Sequence, residues 1–249
     1  MANRLSADPS VSVALIEAGG RDASPWIHVP VGYFKTIKDP ALNWMYRTEP
    51  DKGLNGRSLN WPRGKTLGGS SSINGLLYVR GQPQDYDGWR QMGNVGWGWD
   101  DLLPLFKRSE AWEGAADPVR GAKGELSVSR SRQSWQVVDA WVEAARSAGF
   151  AFNPDYNSAS QEGVGYFQLT ARNGLRCSSA KAFLKPARSR KNLQVFTHMQ
   201  VDNVELAEGR AVSVRGRRHG SPLRIAARRE IILSAGSIGS PQILMLSGI

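Results

Sequence analysis

The stretch that most restricts the fold of this 249-residue chain runs from Pro62 to Gly75 and contains two adjacent glycines followed by three serines. Adjacent glycines let a backbone approach a ligand closely, because neither residue carries a Cβ atom. Serines are favoured helix N-caps, so a short helix with one apolar side is predicted to follow, carrying Ile73, Leu76, Leu77 and Val79. Its N-terminal N–H groups could bind an anion or an electron-rich ring. A Gly/Ser loop without a ligand is the alternative interpretation.

A second pattern lies near the N-terminus. Residues 11–17 predict a short buried strand, followed at once by Ala18, Gly19 and Gly20. An acidic residue at the tip of such a strand is where dinucleotide-binding folds hold a ribose hydroxyl, which makes Glu17 a candidate. Their glycine-rich phosphate turn lies about 20 residues earlier, so residues 2–5 are expected to end the first crossover helix. Taken alone, the motif fits a plain strand cap equally well.

Hydrophobic periodicity predicts the remaining elements. Residues 134–148 predict an amphipathic helix that Gly149 ends, and its apolar stripe, which includes Trp141, is expected to lie in the core. Strands are predicted over 193–197, 200–206, 211–217 and 223–226, with a turn at 208–210. A buried strand over 229–234 and a helix over 238–246 are predicted last.

Composition excludes several classes of protein. No run of about 18 apolar residues is present, which excludes a transmembrane helix. No apolar stretch follows the basic residue near the N-terminus, so no secretory signal is predicted. Cys177 is the single cysteine, so neither an intrachain disulfide nor a cysteine-based zinc site can form, and no metal site is predicted. A reducing, cytoplasmic location is expected, with peripheral membrane association left open.

The net charge of +10 could indicate a nucleic-acid partner, but its distribution argues against one. The basic residues are scattered along the chain, and their densest group, within residues 215–229, predicts a solvated hairpin. No nucleic-acid partner is therefore expected.

Two long segments resemble the signatures of the glucose–methanol–choline (GMC) oxidoreductase family. Pro62 to Trp89 resembles the first signature and Gly236 to Ile249 the second, with shorter matches at 15–20, 93–99 and 174–180. The resemblance covers essentially the whole chain and is strongest to choline-dehydrogenase-like and alcohol dehydrogenase (acceptor) flavoproteins. It implies a mixed α/β fold: an incomplete Rossmann-like FAD-binding domain with an inserted antiparallel β hairpin or meander and long loops.

The resemblance also implies how the chain is organised. Residues 1–249 would form a partial FAD-binding domain, with the C-terminal substrate domain absent. Residues 1–20 would hold the second strand of the dinucleotide fold, after a missing glycine turn. Residues 62–89 would form the flavin cradle, and residues 193–236 a β-rich segment that returns to the central sheet.

Cofactor-binding roles follow from the same resemblance. Glu17 would bind the adenosine ribose of FAD. Gly68, Gly69 and Ser70 would approach the pyrophosphate and the flavin. The residues expected near the isoalloxazine ring are Asn74, Gly75 and Leu77.

Three further positions complete the implied cofactor site. The backbone of Val201 matches a position that contacts the adenine, and Ala235 and Gly236 would end the central strand beside the cofactor. Some choline-oxidising relatives attach FAD covalently through a histidine at the position of Ile73. Isoleucine cannot form that bond, so non-covalent FAD is expected.

The implied activity is oxidation of a primary alcohol, choline-like or other, by hydride transfer to flavin N5, with oxygen or a quinone as electron acceptor. None of His28, His198 or His219 lies in a matching motif. The catalytic histidine is therefore expected beyond Ile249, and the chain is interpreted as an inactive fragment of the enzyme. A lyase of the same family and a non-catalytic fragment are the alternatives.

Overall fold

The computed structural model describes residues 1–249. The α-helices are α1 (Ala2–Leu5), α2 (Pro25–His28), α3 (Tyr33–Thr36), α4 (Pro83–Gln91), α5 (Trp99–Ser109), α6 (Gln136–Ser147), α7 (Lys185–Ala187) and α8 (Gly236–Leu246). The strands are β1 (Val13–Ile16), β2 (Tyr46–Arg47), β3 (Asn60–Trp61), β4 (Glu110–Trp112), β5 (Leu126–Val128), β6 (Ala171–Arg172), β7 (Leu175–Arg176), β8 (Leu193–Phe196), β9 (Met199–Ala207), β10 (Arg210–Arg218) and β11 (Ser221–Ala226).

The chain divides into two compact units. Unit 1 consists of Met1–Ala23, Thr36–Ile73 and Ala187–Ile249, whereas unit 2 consists of Ser24–Lys35 and Asn74–Pro186. Each unit is described by itself below.

Unit 1 contains a parallel strand pair. β1 pairs with β8 from Val13 opposite Leu193 to Ile16 opposite Phe196. The loop between α1 and β1 is fixed by the Asn192 side chain, whose Nδ2 donates to three of its carbonyl oxygens. Parallel pairing of two strands far apart in sequence is typical of α/β folds, which agrees with the predicted fold class.

A three-stranded antiparallel sheet in the order β11–β10–β9 makes up the second part of unit 1. The turn between β9 and β10 contains Glu208 and Gly209, both with positive φ (51° and 74°), as a two-residue hairpin turn requires. β10 is the central strand, so β9 and β11 are the edge strands of this sheet. The predicted hairpin and meander are confirmed, and the basic group 215–229 largely lies on them.

The predicted buried strand over 229–234 is wrong. These residues form no strand, and Ile232 is 39% exposed. An apolar run fits several structures until a partner strand is present, and no strand of residues 1–249 pairs with this one. The predicted return of residues 193–236 to a central sheet stays a prediction.

A buried ionic network lies in the core of unit 2. The Glu110 carboxylate is fully buried and accepts from Arg80 Nη2, from Arg120 Nη2 at 2.6 Å and from the Gly121 N–H at 2.7 Å. Arg120 also contacts Asp155 at 2.5 Å. Two arginines and two acids thus balance in charge, as buried ions must to avoid a large desolvation cost.

Neutral amides complete this network. Gln168 Oε1 accepts from Arg120 at 3.0 Å and from Asn157 at 2.9 Å, while the side-chain Oδ1 of Asn157 accepts from the backbone N–H of Arg80 at 2.8 Å. The Arg120 guanidinium also lies over the Trp112 ring at 4.1 Å. Hydrogen bonds between side chains therefore order a unit that contains only short strands.

The amphipathic helix predicted over 134–148 is confirmed as α6, but its placement in the core is wrong. Val137 is 76% exposed and Trp141 is 63% exposed, whereas Val142 is the buried side chain of the helix. Periodicity defines an apolar stripe, but it does not show that another element of the chain covers the stripe. The stripe faces water in this structure.

No helix in the structure combines the length and the apolar character needed to cross a bilayer.

Candidate functional site

Glu17 stands directly after β1, at the end of the parallel pair. Its backbone N–H donates to Phe196 O at 2.9 Å, and its carbonyl accepts from the Met199 N–H at 3.0 Å. The carboxylate atom Oε1 accepts from the Gly19 N–H at 2.8 Å. Burial raises the pKa of Glu17 to about 7, although the Gly19 N–H and the charge of Lys65 lower it. A desolvated acidic acceptor is therefore held at the tip of this strand.

Two glycines beyond this carboxylate allow a second segment to pack against the end of β1. A Cβ atom on Gly19 would lie 1.8 Å from the carbonyl oxygen of Lys65, so a larger residue would displace that segment. The Gly20 carbonyl accepts from the Leu67 N–H at 3.0 Å and from Thr66 Oγ1 at 3.2 Å. The glycine-rich turn therefore follows a segment that is anchored beside the acid.

The glycine-rich turn has one packed side and one open side. Gly68 and Gly69 have φ values of 90° and 54°, a region that glycine adopts without strain. A Cβ atom on Gly64 would lie 2.2 Å from the backbone of Gly69, and the Gly64 N–H donates to Ser70 Oγ at 3.1 Å. On the other side, a Cβ atom added to Gly69 would meet nothing within 4 Å. The open side leaves this backbone accessible to a ligand.

The helix predicted after the serines is wrong. A single 3₁₀ turn covers Gly69–Ser72, and Leu76 then has a φ of 65°, which ends any helical path. The hydroxyl of Ser72 donates to a carbonyl oxygen five residues earlier, so it competes with helix formation. Leu77 instead forms an antiparallel bridge with Leu169. Asn74 therefore lies in a bend rather than in a first helical turn.

The predicted flavin-contacting residues belong to different units. Gly68, Gly69 and Ser70 lie in unit 1, and Asn74, Gly75 and Leu77 lie in unit 2. Within unit 2 the three residues are exposed, Leu77 to 51%. A Cβ atom on Gly75 would meet nothing within 4 Å. The surface around these residues is therefore open.

Arg176 was missed by the sequence analysis and is the largest fully buried side chain of the chain. Its Nε donates to Ile27 O, its Nη1 to Asn74 Oδ1 and its Nη2 to Asn74 O, each at 2.7 Å. Burial lowers the pKa of Arg176 to about 10. The available signal was its place in the segment 174–180, which resembles the GMC family.

The remaining predicted cofactor residues lie in unit 1. Val201 is on β9 opposite Gly216 of β10. Ala235 and Gly236 lie at the start of α8, where the Ala235 N–H donates to Ser240 Oγ at 3.1 Å. The prediction that these two residues end a strand is wrong, because residues 227–234 directly before them form no strand; their place beside the cofactor stays a prediction.

A cleft of about 440 Å³ opens in unit 1 beside Ala18. Both His198 and His219 line it, with their rings 5.0 Å apart, and the His219 N–H donates to His198 O at 3.0 Å. Both side chains are exposed. Among residues 1–249, no group of three His, Cys, Asp or Glu side chains could hold a metal ion.

Comparison with known protein families matches residues 12–249 to the family described as GMC oxidoreductase. This match includes the strand that precedes Glu17, the glycine-rich turn and α8. The chain belongs to the GMC oxidoreductase family.

Curated GMC relatives match this chain along its full length. An alcohol dehydrogenase (acceptor) from Pseudomonas putida is 43% identical over 252 residues, which cover 100% of this chain and 46% of that protein. The mitochondrial choline dehydrogenase of Homo sapiens is 42% identical, with 100% of this chain and 43% of that protein covered. The chain thus spans about half the length of the curated relatives it matches.

Solved structures of similar proteins have the same fold. Pyridoxine 4-oxidase from Mesorbium loti superposes with a TM-score of 0.95 at 35% identity, covering 100% of this chain and 49% of that one. An FAD-dependent oxidoreductase from Chaetomium thermophilum gives 0.90 at 29% identity, covering 100% and 45%. The predicted mixed α/β, Rossmann-like fold class is therefore confirmed.

Proposed function

We propose that this chain holds FAD non-covalently, as a partial FAD-binding domain of a GMC oxidoreductase that oxidises the CH–OH group of a primary alcohol. The observation that carries the proposal is the placement of Glu17, a desolvated acid at the end of a parallel strand, beside a segment that runs into an open glycine turn. Similarity to FAD-dependent and alcohol-oxidising relatives over the whole chain supports it.

Glu17 fits the adenosine end of FAD. Its Oε1 is already bonded to the Gly19 N–H, so a ribose hydroxyl would donate to the second carboxylate oxygen. A hydroxyl donor stabilises the ionised acid and would offset the desolvation that raises the pKa of Glu17. The backbone of Val201, together with Ala235 and Gly236, is proposed to complete the cofactor contacts.

The glycine turn fits the pyrophosphate and the flavin. Gly69 has the open side that such a ligand needs, and Gly68 and Ser70 flank it. The exposed residues Asn74, Gly75 and Leu77 are proposed to lie near the isoalloxazine ring.

FAD is proposed to be bound non-covalently because residue 73 is an isoleucine. Its side chain is 2% exposed and carries no nucleophilic atom. It therefore cannot form a bond with a flavin.

Bound FAD would supply the hydride-accepting ring of the reaction. The residues of this chain bind and orient that cofactor, and their part in catalysis is positioning. A histidine that takes the hydroxyl proton of the alcohol is proposed to lie outside residues 1–249, since none of the three histidines here matches the family motif.

Titration of the purified chain with FAD, followed by quenching of flavin fluorescence, tests the cofactor proposal. We expect saturable binding, and Glu17→Gln should weaken it by about 10- to 100-fold, the loss of one hydrogen bond to a charged group. Glu205→Gln, which alters a glutamate on the solvent-exposed hairpin, is the matched control and should bind like the wild type. Absence of binding, or equal binding by Glu17→Gln, would contradict the proposal.

Two further measurements test attachment and activity. Acid precipitation of the complex should leave all flavin in the supernatant, and flavin in the pellet would refute non-covalent binding. The purified chain with FAD and an artificial acceptor should show little turnover of choline or benzyl alcohol. Steady turnover would show that the proton-accepting group lies within residues 1–249.

A further inference from the structure

Within unit 2, hydrogen bonds join the buried side chain of Arg176 to the exposed residue Asn74. Arg176 is 1% exposed, whereas Asn74 is at the surface. The guanidinium donates to both oxygens of Asn74, the side-chain Oδ1 and the backbone carbonyl, each at 2.7 Å. Its third contact, to Ile27 O, fixes the plane of the guanidinium from the other side. Asn74 is thus bound by two parallel hydrogen bonds.

These contacts determine which way the Asn74 amide is turned. Oδ1 accepts from Arg176 Nη1 and also from the Leu76 N–H at 3.1 Å. Both partners are donors only, so the amide oxygen and not the nitrogen must face them. The Nδ2 group is therefore left on the solvent side, where both of its N–H bonds can donate to a ligand.

The local backbone depends on the same contacts. Leu76 has a φ of 65°, a strained region for a residue with a branched side chain. Its N–H is held by Asn74 Oδ1, and its carbonyl accepts from Thr170 N at 2.8 Å and from Thr170 Oγ1 at 3.1 Å. The bend that presents Asn74 is therefore fixed by hydrogen bonds on both sides of Leu76.

We infer that Arg176 is a positioning residue which locks the Asn74 amide so that Nδ2 donates to an acceptor atom of the isoalloxazine ring. The second half of this inference rests on the proposed FAD binding. A lysine could not replace Arg176, because one ammonium cannot supply three N–H groups in one plane to three separate oxygens.

A double-mutant cycle measured by FAD titration of the full chain tests the inference. Arg176→Lys and Asn74→Ala should each weaken FAD binding by about tenfold, the contribution of one hydrogen bond. The double variant should bind like Asn74→Ala alone, because Arg176 acts through Asn74. If Arg176→Lys weakens binding equally in the Asn74→Ala background, the inference is overturned. Arg172→Lys, which alters an exposed arginine bonded to Ser127, is the control and should match the wild type.

A second variant covers the case in which Arg176→Lys does not fold. Asn74→Asp keeps an oxygen for Arg176 and Leu76, but it replaces the outward donor with an acceptor. Its circular dichroism should equal that of the wild type, while FAD binding should weaken by about tenfold or more and the visible absorption band of any bound flavin should shift. Wild-type affinity with an unchanged band would overturn the inference.

An NMR measurement without cofactor separates this inference from the proposed function. The side-chain NH₂ signals of Asn74 and the backbone N–H of Leu76 should be well dispersed, with slow hydrogen exchange at Leu76. Arg176→Lys should speed that exchange at least tenfold, as expected for the loss of one hydrogen bond, and Arg172→Lys should not. Failure of the wild type to bind FAD would refute the proposed function. Unchanged Leu76 exchange in Arg176→Lys would refute the locking of Asn74.

Discussion

The chain places one glutamate between two arginines in two different regions, and burial makes the two arrangements energetically different. In unit 2, Glu110 contacts Arg80 and Arg120, and all three side chains are at most 2% exposed. On the hairpin of unit 1, Glu205 contacts Arg215 and Arg224, whose side chains are 62% and 57% exposed. The charges and the partners are alike, so the solvent is the main difference.

This difference shows which ion pairs determine stability. Water already solvates the hairpin charges, so their pairing adds little to the free energy of unfolding. The buried charges have lost that solvation, and removing one partner leaves the others without compensation. Glu17 is a third case, because it is largely buried but its contacts are the backbone N–H groups of Gly19 and Ala18 and the charge of Lys65.

The largest effect is expected from Glu110→Gln. A neutral amide would leave Arg80 and Arg120 with an uncompensated buried charge, which should lower the free energy of unfolding by about 3–5 kcal/mol. Urea denaturation followed by circular dichroism would measure the change. A loss below about 1 kcal/mol is typical of an exposed pair, and it would show that burial does not make the Glu110 pairs stronger than the Glu205 pairs.

Glu17 should make stability depend on pH in the direction opposite to that of a salt-bridged acid. Because burial raises the pKa of Glu17 from 4.5 to about 7, the folded state favours the protonated carboxyl. Its stabilising contribution is present below pH 4.5 and is lost as the pH rises to about 7, a change of about 3 kcal/mol.

Glu17→Gln has no such titration, so the unfolding free energy of the variant minus that of the wild type should increase over this pH range. Urea denaturation without FAD, at a series of pH values, measures this difference. A difference that stays constant with pH would show that Glu17 is solvated like an ordinary carboxylate.

Arg120→Lys is expected to have a smaller effect than Glu110→Gln. The charge remains, but one ammonium cannot reach Glu110, Asp155 and Gln168 together, so buried acceptors lose their donors. The free energy of unfolding should fall by about 1–3 kcal/mol. Arg215→Lys on the exposed hairpin is the matched substitution, and equal losses in the two variants would contradict the importance of burial.

The smallest effect is expected from Glu205→Gln. The Ser213 hydroxyl, followed by Arg224, lowers the pKa of Glu205, so its contribution to stability is present above the ordinary carboxyl pKa and is lost as the pH falls. Because this group is open to water, we expect no measurable shift of the urea midpoint at neutral pH. A clear shift that disappears in high salt would show that the hairpin pair is stronger than its exposure suggests.

Patterns among neighbouring residues predicted the strands and turns whose formation depends mainly on those residues. The strands within 193–226 were found because a Glu208–Gly209 turn separates alternating residues, and the strand before Glu17 was found because an apolar run ends just before Gly19 and Gly20. The helix expected after Ser72 failed because Leu77 pairs with Leu169, a contact that no local pattern contains.

The candidate site was predictable only in part, for the same physical reason. The glycine turn can be recognised from its residues, since glycine adopts that backbone without strain. The role of Arg176 cannot be recognised in this way, because its contact with Asn74 joins positions 102 residues apart. A buried arginine has no distinguishing sequence pattern, and its role follows from the atoms that it contacts in the folded chain.

The uncovered stripe of α6 has a practical consequence. Val137 and Trp141 keep most of their apolar surface in water, at a cost of about 25 cal/mol per Å². Sulfate and phosphate salts increase that cost. During purification these two side chains should therefore add to the adsorption of the protein on phenyl-substituted chromatography resins at moderate salt, and the protein should elute as the salt is withdrawn.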